Sequence, residues 1–189
     1  MKIAFLSSTR GTNLQSFIDA KKAGAFKPEI ACLITNMAEC GAVEKARTAG
    51  IPVHFIDPTD KNREHFDREV MKVLEPYGVD LIVLGGYMRI IGFEMIRRYQ
   101  NHILNIHPSL LPKFAGGMDN NVHQAVLDAG EKETGMTIHI VTEELDSGRI
   151  VCQKKVAVDP TDTPETLKAK VQELEKIWYP LVVQKFISL

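Results

Sequence analysis

Ile3-Ala4-Phe5-Leu6-Ser7-Ser8-Thr9-Arg10-Gly11-Thr12-Asn13-Leu14-Gln15 passes from an apolar run, through a polar turn holding one glycine, into a segment of helical character. Ile3–Ser7 reads as an opening strand, and the helix extends over residues 13–23. Outward from this unit the rhythm continues. Strand-like runs at Glu29–Thr35, Val53–Ile56, Leu81–Gly85 and Ile103–Ile106 alternate with helical segments near 41–49, 63–76 and 92–98. In the segment 63–76, Phe66, Val70, Val73 and Leu74 fall on one helical face. Strands alternating with amphipathic helices argue for a parallel sheet with helices on both faces.

After residue 120 the rhythm changes. A short helix near 121–129 ends at Gly130. Two strands follow, Met136–Val141 and Ile150–Val158, joined by Glu143-Glu144-Leu145-Asp146-Ser147-Gly148 in a hairpin-like connection. A last helix starts after Thr163, with Pro164 in its first turn and Glu165 behind it, and runs to about Phe186. The fold expected is one Rossmann-like α/β domain over residues 1–189: an open twisted sheet, mostly parallel with a mixed C-terminal edge.

Composition sets outer limits. The 189 residues with 44% apolar content suit one globular domain with a substantial core. A formal net charge of −1 gives no basic footprint for nucleic acid. The apolar start Met1–Leu6 is too short for a signal peptide or a membrane span. Cys32, Cys40 and Cys152 form no C-x-x-C pair and are odd in number, which points to reduced thiols in a cytoplasmic protein. Histidines 54, 65, 102, 107, 123 and 139 show no metal-ligand spacing, so no metal is expected. Neither a phosphate-binding P-loop nor a G-x-S-x-G elbow is present.

In open α/β sheets ligands bind beyond the carboxyl ends of the strands, where strand order reverses. After the first strand, Gly11 allows close backbone approach, and Thr12 or Asn13 can cap the following helix. Free N–H groups there would attract a phosphate, with Arg10 adding charge. An ordinary capped turn fits this stretch equally well. After the fourth strand, Gly85-Gly86-Tyr87-Met88-Arg89-Ile90-Ile91 offers either an apolar slot for a flat ring or plain core.

The fifth strand ends Leu104-Asn105-Ile106-His107-Pro108-Ser109-Leu110-Leu111-Pro112. Alternation puts Asn105 and His107 on one face. Held at a strand terminus, an amide N–H and an imidazole can stabilise an oxyanion at a carbonyl under attack. Asp146 in the later connection would raise the pKa of His107 if it reached it; a local turn before Ser147-Gly148 is the alternative. Thr137 and His139 share a face of the sixth strand, either backing the same site or satisfying each other.

These motifs, in this order, resemble the folate-dependent formyltransferases of the phosphoribosylglycinamide type. The resemblance runs from about residue 2 to residue 186. Its most specific stretch is Asn105-Ile106-His107-Pro108-Ser109-Leu110-Leu111-Pro112-Lys113, followed by Gly135-Met136-Thr137-Ile138-His139 and Leu145-Asp146-Ser147-Gly148. Gly11-Thr12-Asn13-Leu14-Gln15, Gly86-Tyr87-Met88-Arg89-Ile90 and Gln172…Glu175…Tyr179-Pro180 complete it.

The resemblance implies formyl transfer from 10-formyltetrahydrofolate, as cosubstrate, to the amine of 5-phosphoribosylglycinamide in purine synthesis. It implies Asn105, His107 and Asp146 as catalytic residues and Gly11, Thr12 and Asn13 as the phosphate cradle. Gln172 and Glu175 would face the ribose or glycinamide, sharing one face of the last helix. Arg63, Met88, Arg89, Ile90, Ile91, Asn105, Thr142, Glu143, Glu144 and Leu145 would bind folate, with Thr137 and His139 behind the catalytic residues. The N-terminal half would serve the ribonucleotide side and the C-terminal half the folate side. The partners implied are small-molecule substrates, with neither nucleic acid nor membrane, in a monomer or homodimer. By this reading the free amine attacks the formyl carbon, Asn105 and a protonated His107 stabilise the oxyanion, and His107 or a water held by Asp146 moves the proton.

The chain departs from the family pattern at Thr9, which replaces the first glycine of the usual Gly-x-Gly-Ser-Asn opening. Its 114–123 loop is longer than usual, without the frequent Pro-Gly and the first histidine. Methionyl-tRNA formyltransferase would need a basic C-terminal domain, and formyltetrahydrofolate hydrolase an N-terminal regulatory one. A sugar-nucleotide amine formyltransferase and a folate- or sugar-phosphate-sensing module are the other readings.

Overall fold

A computed structural model describes residues 1–117 and 120–188, with backbone only at 120 and 121. Among the described residues, seven strands form one sheet: β1 (Lys2–Leu6), β2 (Glu29–Thr35), β3 (Val53–Phe55), β4 (Leu81–Leu84), β5 (Ile103–His107), β6 (Glu133–Ile140) and β7 (Ile150–Ala157). The helices are α1 (Thr12–Lys22), α2 (Gly41–Thr48), α3 (Arg63–Leu74), α4 (Phe93–Arg98), α5 (Asn120–Asp128) and α6 (Pro164–Ile187). The order across the sheet is β3-β2-β1-β4-β5-β6-β7. Pairing is parallel from β3 to β5; β6 runs antiparallel to β5, and β7 to β6. The chain winds outward from β1 through β3, then returns to lay β4 on the other side of β1. That reversal opens a crevice at the carboxyl ends of β1 and β4.

The expected sheet is the observed one, with the ends of most strands shifted by one residue and the start of β6 by three. β6 begins at Glu133 rather than Met136, because Glu133, Thr134 and Gly135 pair with Ala157, Val156 and Lys155 of β7. β4 stops at Leu84: at Gly85 a Cβ would lie 2.6 Å from the Phe5 ring. There the glycine is required by packing.

Each face of the sheet carries its own core. On one, Phe5, Phe17, Phe26 and Tyr179 meet edge-to-face beneath α1 and α6. On the other, Phe66, Val70 and Leu74 of α3 and Met95 of α4 cover Ala4, Leu6 and Ile82. Burying one such large side chain contributes about 1.5–3 kcal/mol. Tyr179 also ties α6 to the sheet, its hydroxyl lying 2.8 Å from the Leu84 carbonyl and 3.1 Å from that of Leu104.

Helix starts differ from one another. Thr163 caps α6 as expected, in a reciprocal pair with Thr166, and Pro164 occupies the first turn. The capping role expected of Thr12 or Asn13 is not observed. Gly11 is the N-cap of α1, left-handed at φ 72°, and no side chain caps the helix. Thr12 and Asn13 are already inside it, and the Asn13 amide turns toward α6. Among the described residues, no helix is long and apolar enough to cross a membrane.

Candidate active site

A cleft of about 650 Å³ opens at the carboxyl ends of β1, β4 and β5. β4 ends at Leu84 opposite Asn105, so the last residues of β5 stand clear of it. On the other side the register pairs Asn105 with His139 and His107 with Thr137. Cross-strand partners share a face, so these four polar residues occupy one patch of the sheet.

Asp146 reaches that patch from the β6–β7 connection. Its Oδ2 lies 3.3 Å from His107 Nδ1 and its Oδ1 lies 3.5 Å from His139 Nε2. The Gly116 N–H donates to Oδ2 at 2.8 Å. His139 Nε2 is also 3.2 Å from Asn105 Nδ2. Its Nδ1 lies 3.1 Å from the Ile140 carbonyl. Asn105, His107 and Asp146 therefore converge as expected, with His139 as the hub between amide and carboxylate.

The connection is held in shape by two backbone features. Asp146 is left-handed at φ 54°, and at Gly148 a Cβ would sit 1.8 Å from the Ile140 carbonyl oxygen. That close crossing is the physical reason for glycine in the Leu145-Asp146-Ser147-Gly148 motif.

The expected rise in the His107 pKa is reversed. Burial lowers it below the ordinary imidazole value and outweighs the pull of Asp146 and of the Phe114 carbonyl, 3.0 Å from Nε2. His107 is only 3% exposed, and burying an imidazolium costs more than one carboxylate returns here. For Asp146, burial pushes up, but hydrogen bonds from His139 and Gly116 and the nearby histidine charges hold it below the usual carboxylate range. Burial thus works against the charged imidazole, while both its ring nitrogens face acceptor oxygens, Asp146 Oδ2 and the Phe114 carbonyl.

Toward β1 and α6 the cleft is lined by Arg10, Thr12, Asn13, Lys168, Gln172 and Glu175. Gly11 does not line it; a Cβ there would meet Ala42 Cα at 2.6 Å, so Gly11 shapes the turn from behind. Asn13 donates its amide to Glu175 Oε2 at 3.2 Å. Burial pushes the Glu175 carboxyl up to about 7, against the Asn13 bond and the Lys168 charge.

Toward β4 the lining is Met88, Arg89, Ile90, Ile91, Thr142, Glu143 and Leu145. Met88, Ile90 and Leu145 are exposed, an apolar surface facing the opening. Met88 is fixed by its N–H, which donates to Ser8 Oγ at 3.0 Å.

Besides Gly11, Glu144 and Arg63 lie outside the cleft lining, and Thr137 stands behind His107 in the neighbouring strand. Glu144 does not line the cleft; its carbonyl accepts from Thr142 and Ser147 within the turn. Arg63 starts α3, exposed and outside the lining. Thr137 holds the Pro-rich loop: its hydroxyl donates to the Ser109 carbonyl at 2.6 Å and accepts from the Leu111 N–H at 3.0 Å. Of the 114–123 loop, residues 118 and 119 lie outside the described residues, while Gly116, Gly117 and His123 line the cleft.

Sequence reading missed Ser8 and Lys168. Lys168 sits one turn before Gln172 on the same helical face, so the i,i+4 rule had the information to find it. Ser8 gave no such signal. Among the described residues, no three His, Cys, Asp or Glu side chains come together as metal ligands.

The model of a family described as formyl transferase matches residues 1–183. The phosphoribosylglycinamide formyltransferase of Haemophilus influenzae is 44% identical, over 98% of this chain and 86% of its own length. That of Escherichia coli is 40% identical, over 98% and 87%. The crystal structure of glycinamide ribonucleotide transformylase 1 from Symbiobacterium toebii superposes with a TM-score of 0.95 at 37% identity, covering 100% of this chain and 88% of that one. The chain belongs to the formyl transferase family, among the phosphoribosylglycinamide formyltransferases.

Proposed function

We propose that this enzyme transfers the formyl group of 10-formyltetrahydrofolate to the amine of 5-phosphoribosylglycinamide, within a single formyltransferase domain. The observation that carries the reading is the meeting of Asn105, His107 and Asp146 at one end of a cleft with two chemically distinct arms. The arm beside the start of α1 offers a helix N-terminus, two cations and two hydrogen-bonding groups of α6, suited to a ribose phosphate. The arm beside residues 88–91 is apolar and suits a flat pterin ring. The coming together of both substrates supplies much of the acceleration.

The charge states suggest the order of proton movements. The neutral amine attacks the formyl carbon, and the carbonyl oxygen becomes an oxyanion that accepts the Asn105 amide N–H. Neutral His107, with Nδ1–H toward Asp146, takes a proton from the new ammonium nitrogen at Nε2. The imidazolium, stabilised by the Asp146 carboxylate, then gives that proton to the departing folate nitrogen as the C–N bond breaks. Productive binding displaces the Phe114 carbonyl from Nε2. We also place the enzyme in the cytoplasm, in keeping with its three free cysteines. Incubation with both substrates should yield formylated ribonucleotide and tetrahydrofolate in equal amounts; binding of both without product would sink the reading.

A further inference from the structure

The backbone after β4 is tied to α3 by carboxylates that the proposed chemistry does not use. Asp67, 1% exposed, accepts the Gly92 N–H through Oδ2 at 2.5 Å. Glu64, one turn earlier, accepts the Phe93 N–H through Oε1 at 3.2 Å. At Gly92 a Cβ would lie 2.5 Å from Glu64 Oε1, so a side chain there would make the Glu64 carboxylate swing aside. Arg89, three residues before Gly92, stacks over the Phe66 ring at 4.0 Å from its centre. Both ends of the segment 89–92 are thus held by α3.

The arrangement is costly. A carboxylate on the otherwise apolar buried face of a helix needs compensation, and Asp67 has only part of it. Its Oδ1 and the nearby Tyr87 hydroxyl are buried without hydrogen-bond partners, as is Glu64 Oε2. The Arg68–Glu94 ion pair already ties α3 to α4 at the surface. What Asp67 adds is a fixed position for one backbone N–H at the end of the cleft wall.

We propose that Asp67 is a positioning residue for the folate arm: by holding the Gly92 N–H, it fixes the backbone of residues 88–91 and so sets cosubstrate affinity without touching the cosubstrate. This rests on the assignment of residues 88–91 to folate.

The groups facing Asp67 are Arg63 and Glu64 on α3 and Tyr87 and Arg89 on the loop. Burial, with Glu64, pushes its carboxyl up to about 6, while the Gly92 hydrogen bond, Arg89 and Arg63 pull down. Protonation weakens the acceptor, so the KM for 10-formyltetrahydrofolate rises as pH falls through about 6.

The test compares Asp67→Ala, Asp67→Asn and Ile90→Asp by steady-state kinetics across pH, alongside thermal melting. Asp67→Ala should raise the cosubstrate KM about tenfold, the equivalent of about 1.4 kcal/mol, within what one charged hydrogen bond is worth. Turnover and the ribonucleotide KM should stay within about twofold. Asp67→Asn should retain most of the affinity but lose the inflection near pH 6, and it keeps the test open if the alanine variant fails to fold. Ile90→Asp, in the wall itself, should raise the cosubstrate KM at every pH. If Ile90→Asp does so and neither Asp67 variant changes cosubstrate KM or its pH profile, the role of Asp67 is overturned alone. If Ile90→Asp leaves the cosubstrate KM unchanged, the folate assignment falls and the role of Asp67 with it.

Discussion

Asp146 Oδ2 and His107 Nδ1 lie 3.3 Å apart, far from each other in sequence and both nearly buried. Neither partner has the electrostatics expected of an exposed ion pair. Hydrogen bonds from other groups favour the carboxylate, while burial lowers the pKa of the imidazole. A base that is neutral at rest, beside a fixed negative charge, gains a proton most easily at the moment the substrate offers one.

Replacing His107 or Asp146 with alanine should therefore lower turnover by roughly 10²–10⁴ while the circular dichroism spectrum stays unchanged. If His107 is the proposed base, kcat/KM should fall on acidification below its lowered pKa. Near-wild-type turnover in both variants would falsify their assigned roles.

Asn105→Ala removes the amide proposed to stabilise the oxyanion. Turnover should drop on the order of 10²–10³-fold with little change in either KM. A loss confined to KM would mean that Asn105 only binds.

Glu175 gives a pH signature on the ribonucleotide side. Its folded pKa of about 7 exceeds the ordinary 4.5, so the folded state holds this proton more tightly than the unfolded one. The stability it contributes is present below about 4.5 and is lost as pH rises through about 7. Binding runs the other way, because only the carboxylate is a pure acceptor for ribose hydroxyls. The ribonucleotide KM should rise as pH falls below about 7, and Glu175→Gln should flatten that profile. Titration of KM against pH in both proteins checks it.

Gly11→Ala should damage the proposed phosphate turn from behind. The left-handed φ of 72° and a Cβ 2.6 Å from Ala42 Cα add strain and a clash. A loss of about 1–3 kcal/mol in unfolding free energy is expected, with a raised ribonucleotide KM. Unchanged melting and kinetics would show that the turn relaxes freely.

Much of this was readable in the letters. Alternation in β5 placed Asn105 and His107 together, and the shift from helix-punctuated strands to two adjacent strands placed the antiparallel edge. The reach of Asp146 to His107 came only from the family resemblance, since no local periodicity spans that distance. The sign of the His107 pKa was not readable at all: it depends on burial by the 114–117 segment and on geometry set by four elements. Asn13 was mistaken for a cap because cap chemistry is local, while its real partner, Glu175, lies on the last helix. Arg63 and Glu144 fit a motif, but their positions depend on how α3 and the β6–β7 turn are oriented.

The pairing of β6 with both its neighbours governs more than stability. At Gly135 a side chain would drive its first carbon to 1.8 Å from the Lys154 carbonyl oxygen. A bulkier residue there would push the ribbon out of step. Because successive side chains point to opposite faces, a shift by a single residue would present Ile138 where His139 now stands. Catalysis would fail with every reacting group still present in the chain, an inactivating lesion that no assay of substrate-contacting residues would trace to its source.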